Sequence, residues 1–117
     1  MTLASYKDLI VWQKSIELIE RVYEITSSLP TQEMYGLTSQ MRRACVSIAS
    51  NIAEGSKRSS KADYRHFCTI ALGSAAELET QLIVALRLFK LNGADECIEG
   101  VTEIQKMLHA LTRKLQA

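Results

Sequence analysis

The sequence predicts an all-α fold, an antiparallel up-down-up-down four-helix bundle, and three observations carry that reading. One proline and five glycines in 117 residues leave few places to break a helix. Apolar residues recur at three- and four-residue intervals in four separate stretches. Valine and threonine are not gathered in alternating runs, so no strand is expected.

The first helix is expected from about Asp8 to Ser28, ending before Pro30, because a residue preceding proline resists the helical region. It carries two apolar stripes. Leu9, Trp12, Ile16, Ile19 and Tyr23 form one; Val11, Leu18, Val22, Ile25 and Leu29 form the other. Together they are wider than one core requires, which predicts a second buried surface between subunits.

After a short connection, the second helix runs from about Leu37 to Lys57. The third starts at Ser60, where Asp63 three residues on makes a variant of the capping box. It carries Tyr64, Phe67, Ala71, Leu78, Leu82, Ala85 and Phe89 to about Lys90, and Asn92-Gly93 then offers a left-handed C-cap. The fourth places Cys97, Val101, Ile104, Leu108, Leu111 and Leu115 on a near-heptad seam, with acids early and bases late. Short connections make sequential helices antiparallel. No linker, repeat or low-complexity segment divides residues 1–117, so one domain is expected.

Composition narrows the function classes. The net charge is +1, and no stretch reads as long and apolar enough to cross a membrane. The N-terminus lacks a basic start followed by an apolar run, so no leader is expected, and the expected location is the cytoplasm. Cys45, Cys68 and Cys97 are far apart and set among apolar residues, which predicts buried reduced thiols and neither a metal site nor a disulfide framework.

The second helix holds the most informative pattern. Arg43, Ser47, Asn51, Glu54 and Arg58 follow at intervals of four, four, three and four, one stripe of a helix. If helices two and three turn back near Ser59, facing positions have numbers summing to about 120. Arg43 then faces Glu77, Ser47 faces Gly73 and Ser74, Asn51 lies level with Cys68, and Glu54 lies near Arg65. On one reading this is an internal polar network that fixes register, and the Gly73-Ser74 pair lets the backbones approach. With Glu77 buried, Arg43→Ala would then cost about 3 kcal/mol.

The other reading is functional. Lys57, Arg58, Lys61, Arg65 and His66 cluster around the second turn. Six Lys/Arg against two acids between Met41 and His66 make that segment +4 and leave −3 elsewhere. Such an end is suited to phosphate, though a basic turn also serves solubility alone, and no aromatic residues alternate with these cations as they would to stack bases.

Nothing reads as an enzyme. His66 and His109 have no second histidine at ligand spacing, and Gly73-Ser74 lies mid-helix, away from any strand-to-helix elbow. Glu77 and Glu79, two apart, point to different sides of a helix. No catalytic residue, metal or cofactor is expected.

Four segments carry a family resemblance: DLIVWQKS at 8–15, YGLTSQMRRA at 35–44, SIASNIAEG at 47–55 and IALGSAAELETQL at 70–82. They resemble the four helix bundle protein family, also called the intervening-sequence protein of large-subunit ribosomal RNA. Some members are encoded within sequences that interrupt ribosomal RNA genes. The family is similar to the accessory variability determinant of diversity-generating retroelements, a pentameric barrel that works with a reverse transcriptase and nucleic acid. The resemblance therefore implies a homopentamer and a role with structured RNA or DNA, or beside a nucleic-acid-processing protein. Its motif positions here are Arg42, Arg43, Ser47, Asn51, Glu54, Gly55, Arg58, Gly73, Ser74 and Glu77. The retroelement relative is strongly basic, whereas this chain is +1. Any capture of nucleic acid would rest on the local patch. A protein-protein adaptor that binds no nucleic acid is the alternative.

Overall fold

A computed structural model describes residues 5–116. Residues 1–4, part of the segment behind the expectation of no leader, and residue 117 lie outside that range. Four helices follow in order: α1 (Ile10–Thr26), α2 (Leu37–Ser56), α3 (Lys61–Phe89) and α4 (Ala94–Lys114). Short 3-10 turns at Tyr6–Asp8 and Thr31–Glu33 precede α1 and α2. No strand occurs among the described residues.

Each helix packs on two others: α1 on α2 and α4, and α3 on α2 and α4. The bundle is a rod of 45 × 22 × 21 Å. Its axis is filled by Val22 of α1, Met41, Ile48 and Ile52 of α2, Leu78 and Leu82 of α3, and Ile104 and Leu108 of α4, all with essentially no exposure. Removing each such side chain from water contributes about 1.5–3 kcal/mol. Of the stripe expected on α1, Val11, Leu18, Val22 and Ile25 are its core face, and Leu29, beyond the helix end at Thr26, is buried in the same core.

The other α1 stripe is largely consumed within the chain. Leu9, Trp12 and Ile19 pack against the core, and Trp12 also meets the Tyr6 ring edge-on at 5.3 Å. Tyr23 is exposed but lies under the Arg42 guanidinium, 4.5 Å from its ring centroid. The surplus apolar surface is instead on α3, where Ile70, Ile83, Val84, Leu88 and Phe89 are exposed. Phe89, expected in the core, falls at the helix end. The expectation that no stretch is long and apolar enough to cross a membrane also fails here. The 29 residues of α3 pass that test on length and composition, because its charges sit near its ends and only Glu77 and Glu79 interrupt residues 67–86. Its inner stripe, from Cys68 through Leu78 to Ala85, is nonetheless buried against the other helices.

The helix ends show how the chain turns. Ser60 Oγ accepts the Asp63 amide at 3.1 Å and caps α3. Glu33 caps α2 from the preceding turn, its Oε1 accepting the Leu37 amide at 3.2 Å. The C-cap of α3 is not at Asn92-Gly93. Lys90 takes the left-handed conformation (φ 52°, ψ 44°) and keeps its amide on the Leu86 carbonyl, so that Leu91 turns into the core at 4% exposure. Gly93 (φ 90°) is the N-cap of α4, pressed so closely on Ile25 that a Cβ would lie 2.7 Å from Cγ2.

Candidate nucleic-acid interface

The second turn is a tight hairpin that depends on Gly55, the last residue but one of α2. A Cβ on Gly55 would lie 2.7 Å from Phe67 Cβ and 3.2 Å from the Tyr64 carbonyl, so only hydrogen fits where α2 meets the first turns of α3. The close backbone approach is therefore at Gly55. Gly73, expected to supply it, faces open space.

Around this hairpin Lys57, Arg58, Lys61 and His66 are exposed and Arg65 is half-buried. Aromatic rings position two of the cations. The Arg58 guanidinium lies 4.7 Å from the Phe67 ring centroid, and Lys57 Nζ lies 5.7 Å from that of Tyr6. His66 stands edge-on to Phe67 at 5.8 Å. Aromatic residues are thus interleaved with the basic cluster after all: Tyr64 and Phe67 flank Arg65-His66 along the chain, and packing adds Tyr6 beside Lys57. The ring faces carry cations and are not open platforms for bases.

Glu54 does not pair with Arg65. It takes Arg58, four residues on and just past the end of α2, Oε1 to Nη2 at 2.7 Å. Arg65 reaches across to α4, where its Nη1 donates to the Leu115 carbonyl at 2.7 Å. That bond brings the last turn of α4, with exposed Arg113 and Lys114, to the same end as the hairpin. The Tyr6–Lys57 contact brings Lys7 there as well. Sequence reasoning missed Lys7, Arg113 and Lys114 because they are far from the hairpin along the chain. The basic run that closes α4 was visible, but it was read only as a complement to the helix dipole.

The polar stripe of α2 divides into two parts. Its middle is a compact network: Ser47 Oγ lies 2.8 Å from Ser74 Oγ, and Asn51 Nδ2 donates to the Ser47 carbonyl and hydroxyl at 2.8 and 3.0 Å. Its upper end is open. Arg43 and Glu77 are both exposed and form no ion pair among the described residues, although they line one shallow groove with Gln40 and Gln81. The expected Arg43–Glu77 bridge is absent because two solvated charges gain too little from pairing to offset ordering long side chains. The arginine that ties helices together is Arg42: Nε donates to Thr26 Oγ1 at 3.0 Å and Nη2 to the Tyr23 carbonyl at 3.3 Å.

The thiols are chemically quiet. Cys45, Cys68 and Cys97 are free and buried. Burial pushes Cys45 up to about 12 and Cys68 up to about 11, and raises Cys97 as well. Among the described residues no three His, Cys, Asp or Glu side chains come close enough to hold a metal ion.

Residues 7–110, nearly the whole bundle, match the 23S rRNA-intervening sequence protein family. The chain belongs to that family. No curated protein matches it. A solved structure that it resembles is a protein of unknown function from the S23 ribosomal protein family of Bacteroides thetaiotaomicron VPI-5482. The two share 28% identity and superpose with a TM-score of 0.79, covering 88% of this chain and 98% of that one. The family match takes in Lys7 and the hairpin cations Lys57 to His66, and ends before Arg113 and Lys114.

Proposed function

We propose that this protein is a non-enzymatic, cytoplasmic bundle that contacts structured RNA through its basic end. The observation that carries the reading is the convergence of cations from three separated segments: Lys7, then Lys57 to Arg65, then Arg113 and Lys114. Backbone phosphates supply the complementary charge, and a near-neutral chain binds them only where its charge is gathered. Assembly as a homopentamer, implied by the family resemblance, would repeat that end as a ring. The up-down-up-down order is supported by pairs such as Lys14–Glu103 and Arg21–Glu96, whose numbers run in opposite directions along α1 and α4.

The test is a fluorescence-anisotropy titration with a structured large-subunit ribosomal RNA fragment at low and physiological salt. Lys57, Lys61 and Lys114 are the residues to reverse, since Arg65 holds α4 in place. Binding that weakens with salt, and at least tenfold in the K57E/K61E/K114E variant, is the expected result. No binding at low salt overturns the reading.

A second reading, a protein adaptor, has one observation in its favour. An apolar groove between the start of α1 and the end of α4 is lined by Leu9, Ile10, Val11, Met107, Ala110 and Leu111, with Ile10 60% exposed. A protein partner lost on Ile10→Asp, with RNA affinity unchanged, would favour it.

A further inference from the structure

The basic end is equipped for phosphates and poorly equipped for bases. Its exposed amines, Lys7, Lys57, Lys61 and Lys114, are point charges on flexible stems, which take a phosphate from any direction and fix no base edge. The planar groups that read base edges are mostly committed within the chain. Gln13 Nε2 donates to the Lys7 carbonyl at 2.8 Å, Arg65 holds the Leu115 carbonyl, and Arg58 is paired with Glu54 and lies on Phe67. Arg113 and Gln116, both exposed at the end of α4, are the exceptions.

The rings are committed too. Stacking a run of bases needs open aromatic faces. Tyr6 meets Trp12 edge-on at 5.3 Å and carries the Lys57 amine. Phe67 carries Arg58, and both Phe67 and Tyr64 are pressed on the α2 backbone, where a Cβ on Gly55 would lie 2.7 Å from Phe67 Cβ and 3.1 Å from Tyr64 Cδ1. His66 is exposed, but a single imidazole is no platform for successive bases. The exposed rings of Tyr23, Tyr35 and Phe89, Tyr35 at 96%, belong to the opposite end of the rod. The 20 residues of α2, about 30 Å of helix, separate Tyr35 from the hairpin.

We propose that the ligand of the basic end is the double-helical part of an RNA, held by its phosphates and not read for base sequence. A double helix carries one charge per about 1.7 Å of its axis, twice the density of either strand. It therefore presents more phosphate to a rod end 22 × 21 Å across. A duplex is already ordered, whereas a single strand loses conformational entropy on binding and finds no run of open rings here to offset it. The inference rests on the RNA reading above and narrows it to one form of RNA.

The experiment is competition against a fluorescein-labelled RNA duplex of about 16 base pairs, followed by anisotropy with the full chain at low salt. The competitors are the unlabelled duplex, a duplex of scrambled sequence, and an oligouridylate with the same number of phosphates. The scrambled duplex is expected to compete within about twofold of the parent, and the oligouridylate at least tenfold more weakly. Lys61→Gln should weaken both duplexes by the same factor, as loss of a phosphate contact does, and Tyr35→Ala should weaken neither. Oligouridylate that competes as well as the duplex overturns the inference and leaves the RNA reading standing. So does a tenfold preference for one duplex sequence, a K61Q loss confined to one of them, or a loss in Y35A. Failure of every RNA to bind removes the RNA reading itself, and this inference falls with it.

Discussion

Arg65 donates a hydrogen bond to the Leu115 carbonyl at 2.7 Å, joining the second turn of α3 to the residue that ends α4, fifty positions away. One bond thereby does two things. It satisfies a carbonyl left unpaired at a helix C-terminus, and it holds a second group of cations beside the hairpin. Arg65 is therefore a structural residue of the basic end, while Lys61, Lys114 and Lys57, the last over the Tyr6 ring, remain exposed to a ligand.

Replacing Arg65 by Ala should cost about 1–2 kcal/mol, since a charge-assisted bond to a half-buried carbonyl is lost. Hydrogen exchange should rise most in residues 111–116. Uniform loosening of all four helices would mean that the bond is global glue and not a local clamp.

The two adjacent arginines of α2 should separate cleanly. Arg42 lies on the Tyr23 ring and bonds Thr26 and Tyr23, so Arg42→Ala is expected to lower stability by about 2 kcal/mol. Arg43 is exposed and unpaired among the described residues, so Arg43→Ala should stay within about 0.5 kcal/mol of wild type. Denaturant melts of both variants decide it, and the reverse order would restore the bridge to Glu77 inferred from the sequence.

Glycine requirements can be tested at two turns. Gly55→Ala places a Cβ against Phe67 and the Tyr64 backbone and should lower the melting temperature by several degrees. Lys90→Gly should act oppositely, stabilising by about 0.5–1 kcal/mol, because a left-handed residue is relieved of its Cβ. An unchanged melting temperature for Gly55→Ala would mean that the hairpin yields easily.

The thiols give a pH dependence with a defined sign. An ordinary cysteine titrates near 9, while Cys45 and Cys68 are held at about 12 and 11 by burial. The unfolded chain therefore loses these protons first, so stability is full below about pH 9 and falls as pH rises towards 11–12. The limiting slope is about 1.4 kcal/mol per pH unit for each thiol. Thermal melts at pH 8 and pH 10 check it, and Cys68→Ala should reduce the slope. A melting temperature that is flat over that range would contradict the burial of both sulfurs.

The four helices were legible in the sequence because a helix announces itself by local period: apolar residues at three and four, Ser60 with Asp63 at a start, a proline after a stop. The near-heptad seam of α4 and the core stripe of α1 needed nothing beyond that. The basic hairpin was legible too, since Lys57 to His66 are contiguous. Where the sequence misled, the deciding term was non-local. Ser47 and Ser74 meet because short hydroxyls on facing helices stay between them, out of open water, whereas Arg43 and Glu77, at the same register, extend into water where pairing gains little. Asn92-Gly93 has the residues for a C-cap, but the chain must turn at Lys90 for Leu91 to enter the core. Gly73 and Gly55 look alike in sequence, and only the packing of Phe67 and Tyr64 shows which must lack a side chain. The sequence by itself determined the helices and the charge at one turn. Tertiary structure decided which cations share an end, which arginine is structural and which apolar face is left exposed, because each depends on residues far apart along the chain.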